Sequence, residues 1–140
     1  MENSATAAIS IDRAELPSML ATLCSYECFL GPYHPQTLRL MAHVAIACRQ
    51  AGENRHARIL LERVIRDLSR HLDQEHALRL RALATLRDLL LDQGECERAG
   101  AVQAEILECQ IQRLGGDHPE TLASRRRLAT LLMENCDRQV

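Results

Sequence analysis

Leu30–Leu38 reads LGPYHPQTL, and Leu114–Leu122 reads LGGDHPETL. The two histidines, His34 and His118, stand 84 residues apart, and His76, in LDQEHALRL, falls halfway between them. One constant offset of 42 residues then brings other stretches into register. Gln50-Ala51-Gly52-Glu53 falls on Asp92-Gln93-Gly94-Glu95, Ala57 on Ala99, Val64 on Ile106, Ile65 on Leu107, and Leu72 on Leu114. A gapless ladder of matches at one spacing is the signature of a tandem repeat.

Each copy reads as two helices. Pro35, with its fixed φ and missing N–H, suits a first helical turn. Leu38, Met41, Val44, Ala45 and Cys48 then recur at helical spacing, and Gly52 stops the run as a left-handed glycine does. Ala57, Leu60, Leu61, Val64, Ile65 and Leu68 make a second stripe that ends near Leu72. The next copy carries Leu80, Leu83, Leu86 and Leu90, then Gly94, then Ala99, Val102, Ile106 and Leu107. A leading helix over about Pro17 to Phe29 precedes them. A last first-type helix with Leu122, Leu128, Ala129 and Leu132 follows, ending around Asn135.

The expectation is an all-α solenoid of about six helices, in which each hairpin hides its apolar stripe only by stacking on its neighbour. A disordered tail is expected over 1–11 and one repeat domain over 12–140. The domain comprises a leading helix (12–30), repeat one (31–72), repeat two (73–114) and a partial repeat three (115–140). LGPYHP reads as the elbow between repeats, with ring nitrogens of His34 and His118 bonding backbone there.

Composition narrows the function. The 140 residues are 46% hydrophobic with a formal net charge of −2, which gives no bulk electrostatic case for nucleic acid or an anionic membrane. Aromatics amount to Tyr26, Phe29 and Tyr33, too few for base-stacking platforms. No apolar run reaches the ~18–20 residues of a membrane span, and the N-terminus lacks a basic, apolar leader. All 17 basic residues are Arg, so lysine chemistry is excluded from this chain. The six cysteines, at irregular spacing and without an export signal, read as reduced thiols of a cytoplasmic protein.

No catalytic, phosphate-binding or metalloprotease motif is present. Histidines one repeat apart stand roughly 10 Å or more from each other, too far to share a zinc at ~2 Å. Cys24 and Cys28 share a helical face and read as a buried structural pair. No catalytic residue, metal or cofactor is expected.

The elbow pair, the Ala51-Gly52-Glu53 and Gln93-Gly94-Glu95 turns, and Ala57 with Ala99 resemble the tetratricopeptide (TPR) repeat. The form is the longer one of kinesin light chains and many bacterial regulators, whose usual unit is ~34 residues. The resemblance covers about residues 30 to 135 and implies a right-handed solenoid of antiparallel hairpins that serves as a protein-interaction scaffold. Two departures stand out. Arg87 occupies a site where a small residue is expected, so the second repeat could pack irregularly or admit a partner chain, and Gln103 stands where an aromatic is common.

By the same resemblance the exposed faces of the first helices line a concave groove. That assigns Arg39, His43 and Ile46, then Arg81, Thr85 and Asp88, then Arg126 and Arg127 to a partner-binding surface for a protein or peptide, to which an acidic segment is suited. The plain alternative is a solvated Arg-rich face with local ion pairs. The last helix would bare Leu128, Leu131 and Leu132, a surface for self-association. An oligomerising regulatory or sensor module, controlling an effector such as a transcription factor or signalling ATPase, is the second functional reading.

Overall fold

A computed structural model of the chain describes residues 13–71 and 76–139. The expected tail at 1–11, the stripe-closing Leu72 and the side chains of His76 and Cys136 lie outside the described residues. A short 3-10 turn, Arg13–Glu15, leads into α1 (Leu16–Leu30), followed by α2 (Pro35–Gln50), α3 (Asn54–His71), α4 (His76–Asp92), α5 (Cys96–Leu114) and α6 (Pro119–Gln139). Among the described residues there is no strand. The leading helix, Leu16–Leu30, lies within the expected segment 12–30 and exceeds the rough span Pro17 to Phe29 by one residue at each end. The last helix runs to Gln139 rather than stopping around Asn135. Nothing at Asn135 obliges a stop, because the glycine that follows α1, α2, α4 and α5 has no counterpart there.

The helices form two compact units, one ending at Leu78 and the other beginning at Arg79. In the first, α2 packs on α1 and on α3. Leu38, Met41, Ala42, Val44, Ala45, Ala47 and Cys48 are consequently all buried, more than one stripe of the helix. Full burial of a side chain such as Leu38 contributes about 1.5–3 kcal/mol. α3 answers with the narrower stripe Ala57, Leu61, Val64, Ile65 and Leu68.

The turn between α2 and α3 is set by Gly52 (φ 85°). The Glu53 N–H donates to Cys48 O (2.8 Å) and the Gly52 N–H to Arg49 O (3.1 Å), which satisfies carbonyls the helix end would leave bare. In the second unit the turn from α4 to α5 repeats it: Gly94 has φ 78°, Glu95 N–H donates to Leu90 O (2.9 Å) and Gly94 N–H to Leu91 O (3.1 Å).

In the second unit α6 packs on α5. It buries Thr121, Ser124 and Leu131, with Leu128 half-buried, whereas Leu122, Ala129 and Leu132 of the expected stripe are exposed. The repeat offset gives the comparison. Leu122 and Leu132 match Leu38 and Cys48, which are buried on α2, a helix packed on both α1 and α3, whereas on α6 the matching positions are exposed.

Candidate protein-interaction surfaces

The two elbows are the same object built twice. α1 ends at Gly31 (φ 93°, ψ 158°) and α5 at Gly115 (φ 90°, ψ 160°). The Gly31 N–H donates to Glu27 O at 3.1 Å, and the Gly115 N–H to Ile111 O at 3.0 Å. His34 caps α2 through Nδ1, which accepts the Gln36 N–H at 3.2 Å. His118 caps α6 by accepting the Glu120 N–H at the same distance. The imidazole does the work of a Ser or Asp cap, leaving Pro free to occupy the first helical position.

The outward faces of the two elbows differ. At the first, Tyr33 stacks on His71 from the end of α3, with centroids 4.4 Å apart and planes at 26°. Phe29 is 87% exposed and Tyr33 53%. At the second, Arg113 and Asp117 hold the matching positions. Phe29 and Tyr33 did not enter the expected surface. The signal that finds them is this mismatch, aromatic against charged, between copies of one elbow.

The expected binding residues fare unequally. On α2, Arg39 and His43 are exposed and each already takes part in a polar interaction, while Ile46 is half-buried. In the second unit Arg81 is exposed, and Thr85 is half-buried with its hydroxyl donating to Arg81 O (2.8 Å). Asp88 is committed to Arg87, at 3.0 Å. Arg126 and Arg127 are exposed, and with Arg125 they form three successive guanidinium groups without a hydrogen bond or ion pair from their side chains among the described residues. Of the three leucines expected at a self-association surface, Leu131 is 5% exposed and belongs to the unit's own core. Leu128 is half-buried, and Leu132, at 53%, is open beside exposed Met133.

Arg87 turns out to be filled in from within. It is 8% exposed. Its Nη1 donates to Gln103 Oε1 at 2.8 Å, while Nε and Nη2 donate to Asp88 Oδ1 at 3.1 and 3.0 Å. Buried Gln103 in turn donates through Nε2 to Ser124 O at 3.2 Å, and the Ser124 hydroxyl bonds Gln110 Oε1. The two departures from the repeat pattern are therefore one polar chain across α4, α5 and α6, with Gln103 supplying the acceptor that a buried guanidinium requires.

Cys24 and Cys28, expected to be a buried pair, are both exposed. Among the described residues Cys48 and Cys96 are the buried thiols. Cys48 lies against an open recess of about 260 Å³ lined by Leu16, Pro17, Leu20, Glu53 and His56. Burial, and then the Glu53 carboxylate, push its pKa up from the ordinary 9.0. Such a thiol stays protonated and is a poor nucleophile. Among the described residues no three His, Cys, Asp or Glu side chains are grouped to hold a metal ion, and no helix is long and apolar enough to cross a membrane.

No protein-family model and no curated protein matches the chain. Solved structures do. The nearly identical TPR-like repeats of a kinesin light chain candidate from Podosopora anserina superpose on 91% of this chain with a TM-score of 0.73 at 24% identity. A glutamine-to-methionine variant of that protein gives the same score over the same share at 25% identity. The chain spans 60% of the length of those structures. In fold it is a TPR-like repeat protein, of the all-α solenoid class. Its hairpins are similar to the repeats of kinesin light chain, and that fold suggests a protein-interaction scaffold.

Proposed function

We propose that the chain is a non-catalytic interaction module that docks an acidic protein or peptide segment on the exposed faces of the first helices of its hairpins. The observation that carries this reading is the bare run Arg125–Arg127 on α6. Four guanidinium groups elsewhere find carboxylates within the chain: Arg58 with Glu62, Arg63 with Glu27, Arg79 with Glu105, Arg98 with Glu95. A run of unpaired arginines is suited to carboxylates brought by a partner, because each planar fork donates two parallel N–H bonds to one carboxylate. Arg81, exposed in the same unit, extends the surface. The test is capture from native lysate with mass-spectrometric identification, run in parallel on Arg126→Glu/Arg127→Glu. Specific partners should be lost from the variant, and an unchanged set of captured proteins refutes the reading.

A second reading, an oligomerising regulator of an associated effector, draws on the exposure of Leu132 and Met133 on α6. Sedimentation should then show self-association that Leu132→Asp abolishes, and a monomeric mass at high concentration refutes it.

A further inference from the structure

The two elbows share backbone angles, caps and hydrogen bonds, so one serves as an internal control for the other. The second builds that geometry with Arg113 and Asp117 on its surface, whereas the first carries Phe29 and Tyr33. The fold of the elbow therefore does not require aromatics. Two of the chain's three aromatic side chains are nonetheless exposed here, beside exposed Leu30. Exposed, clustered aromatics are the residues that anchor protein interfaces.

The surroundings state what such an interface would take. Arg63 reaches Glu27, two residues before Phe29, at 3.5 Å, so this face of α3 borders the end of α1. Arg66 and Arg70 follow Arg63 on that face at i+3 and i+7. Arg63 and Arg66 approach Asp67 at 3.9 and 3.8 Å. Glu27 and Asp67 are thus taken up by Arg63 and Arg66, whereas Arg70 is exposed and makes no ion pair among the described residues. One exposed cation with no carboxylate partner among the described residues suits a single carboxylate rather than a polyphosphate backbone, whose binding needs many.

We propose that this elbow is a second docking surface, distinct from α6, for a protein segment that presents an apolar side chain within a turn of a Glu or Asp. The apolar group covers Phe29 and Tyr33, and the carboxylate pairs with Arg70. The proposal rests on the reading of the chain as an interaction module but is separable from the α6 surface.

The test is an NMR titration of the full chain with a C-terminally amidated peptide in which Leu and Phe are each flanked by Glu, and with its Gln counterpart. The Glu peptide should shift amides at Glu27–Gln36 and around Arg66–His71, saturably. Phe29→Arg, Tyr33→Asp and Arg70→Glu should each weaken it by at least about tenfold, as loss of an anchor residue does. The first two install the residues of the other elbow, so helix content by circular dichroism should be unchanged. Arg126→Glu/Arg127→Glu should leave this binding intact. Equal binding of the Gln peptide, or affinity unchanged in Phe29→Arg and Tyr33→Asp, overturns the proposal. Loss of binding only in the α6 variant overturns it too, while leaving the α6 surface standing.

Discussion

Replacing Gln103 by Leu offers the sharpest probe of the second unit. The substitution keeps the volume apolar and close to constant, yet it removes the acceptor 2.8 Å from Arg87 Nη1 and the donor 3.2 Å from Ser124 O. A hydrogen bond to a charged group contributes about 1.5–3 kcal/mol and a neutral one about 0.5–1.5 kcal/mol. Gain from the buried leucine offsets part of this, so Gln103→Leu should cost about 2–3 kcal/mol. Arg87→Leu strands Gln103 Oε1 and should cost about 1–3 kcal/mol. With both changed, the groups left without their partners are the Ser124 carbonyl and the half-exposed Asp88 carboxylate, which water solvates in the Arg87→Leu single variant as well. The double variant should then fall short of the summed costs by about 1.5–3 kcal/mol, within the range of coupling between groups in one buried network. Urea unfolding of the four proteins, followed by circular dichroism, measures that difference. Additive costs would refute the buried bond as the reason these two departures coexist.

Other expectations concern the elbows and the thiols. A Cβ at Gly31 or Gly115 meets nothing within 4 Å, so alanine there should cost only backbone strain. That strain is about 1–3 kcal/mol at such angles, nearly equal at the two sites, and measurable as paired shifts in urea midpoint. His34→Ala and His118→Ala should each cost about 0.5–2 kcal/mol through loss of the cap, while His→Asn at either site should recover most of it. In thiol labelling mapped by mass spectrometry, Cys24 and Cys28 should react in the folded protein and Cys48 only on unfolding. Because the folded chain holds the Cys48 proton more tightly than the unfolded chain, its contribution to stability is complete below the ordinary value of 9.0 and is lost as pH rises above it. The stability difference between wild type and Cys48→Ala should therefore shrink above that pH, and a constant difference refutes it.

The sequence by itself determined the local backbone program: where helices start, where they stop and how often the unit returns. Those features are written in residues whose conformational limits are intrinsic. Glycine alone tolerates the angles at positions 31, 52, 94 and 115, and proline and histidine open α2 and α6 whatever lies beyond them. What only the tertiary structure decided is which side of each helix faces a neighbour. Leu131 and Leu132 are adjacent and chemically identical, yet one is core and the other surface. Cys24 and Cys28 satisfy the helical spacing of a buried pair but are exposed. Arg87 and Gln103 each look like a flaw in a repeat pattern. They explain one another only when α4 and α5 bring residues 16 positions apart within 2.8 Å. Periodicity fixes how residues are spaced around a helix, but the helix's rotation toward its partners comes from packing, and that orientation separates a buried side chain from one offered to a partner.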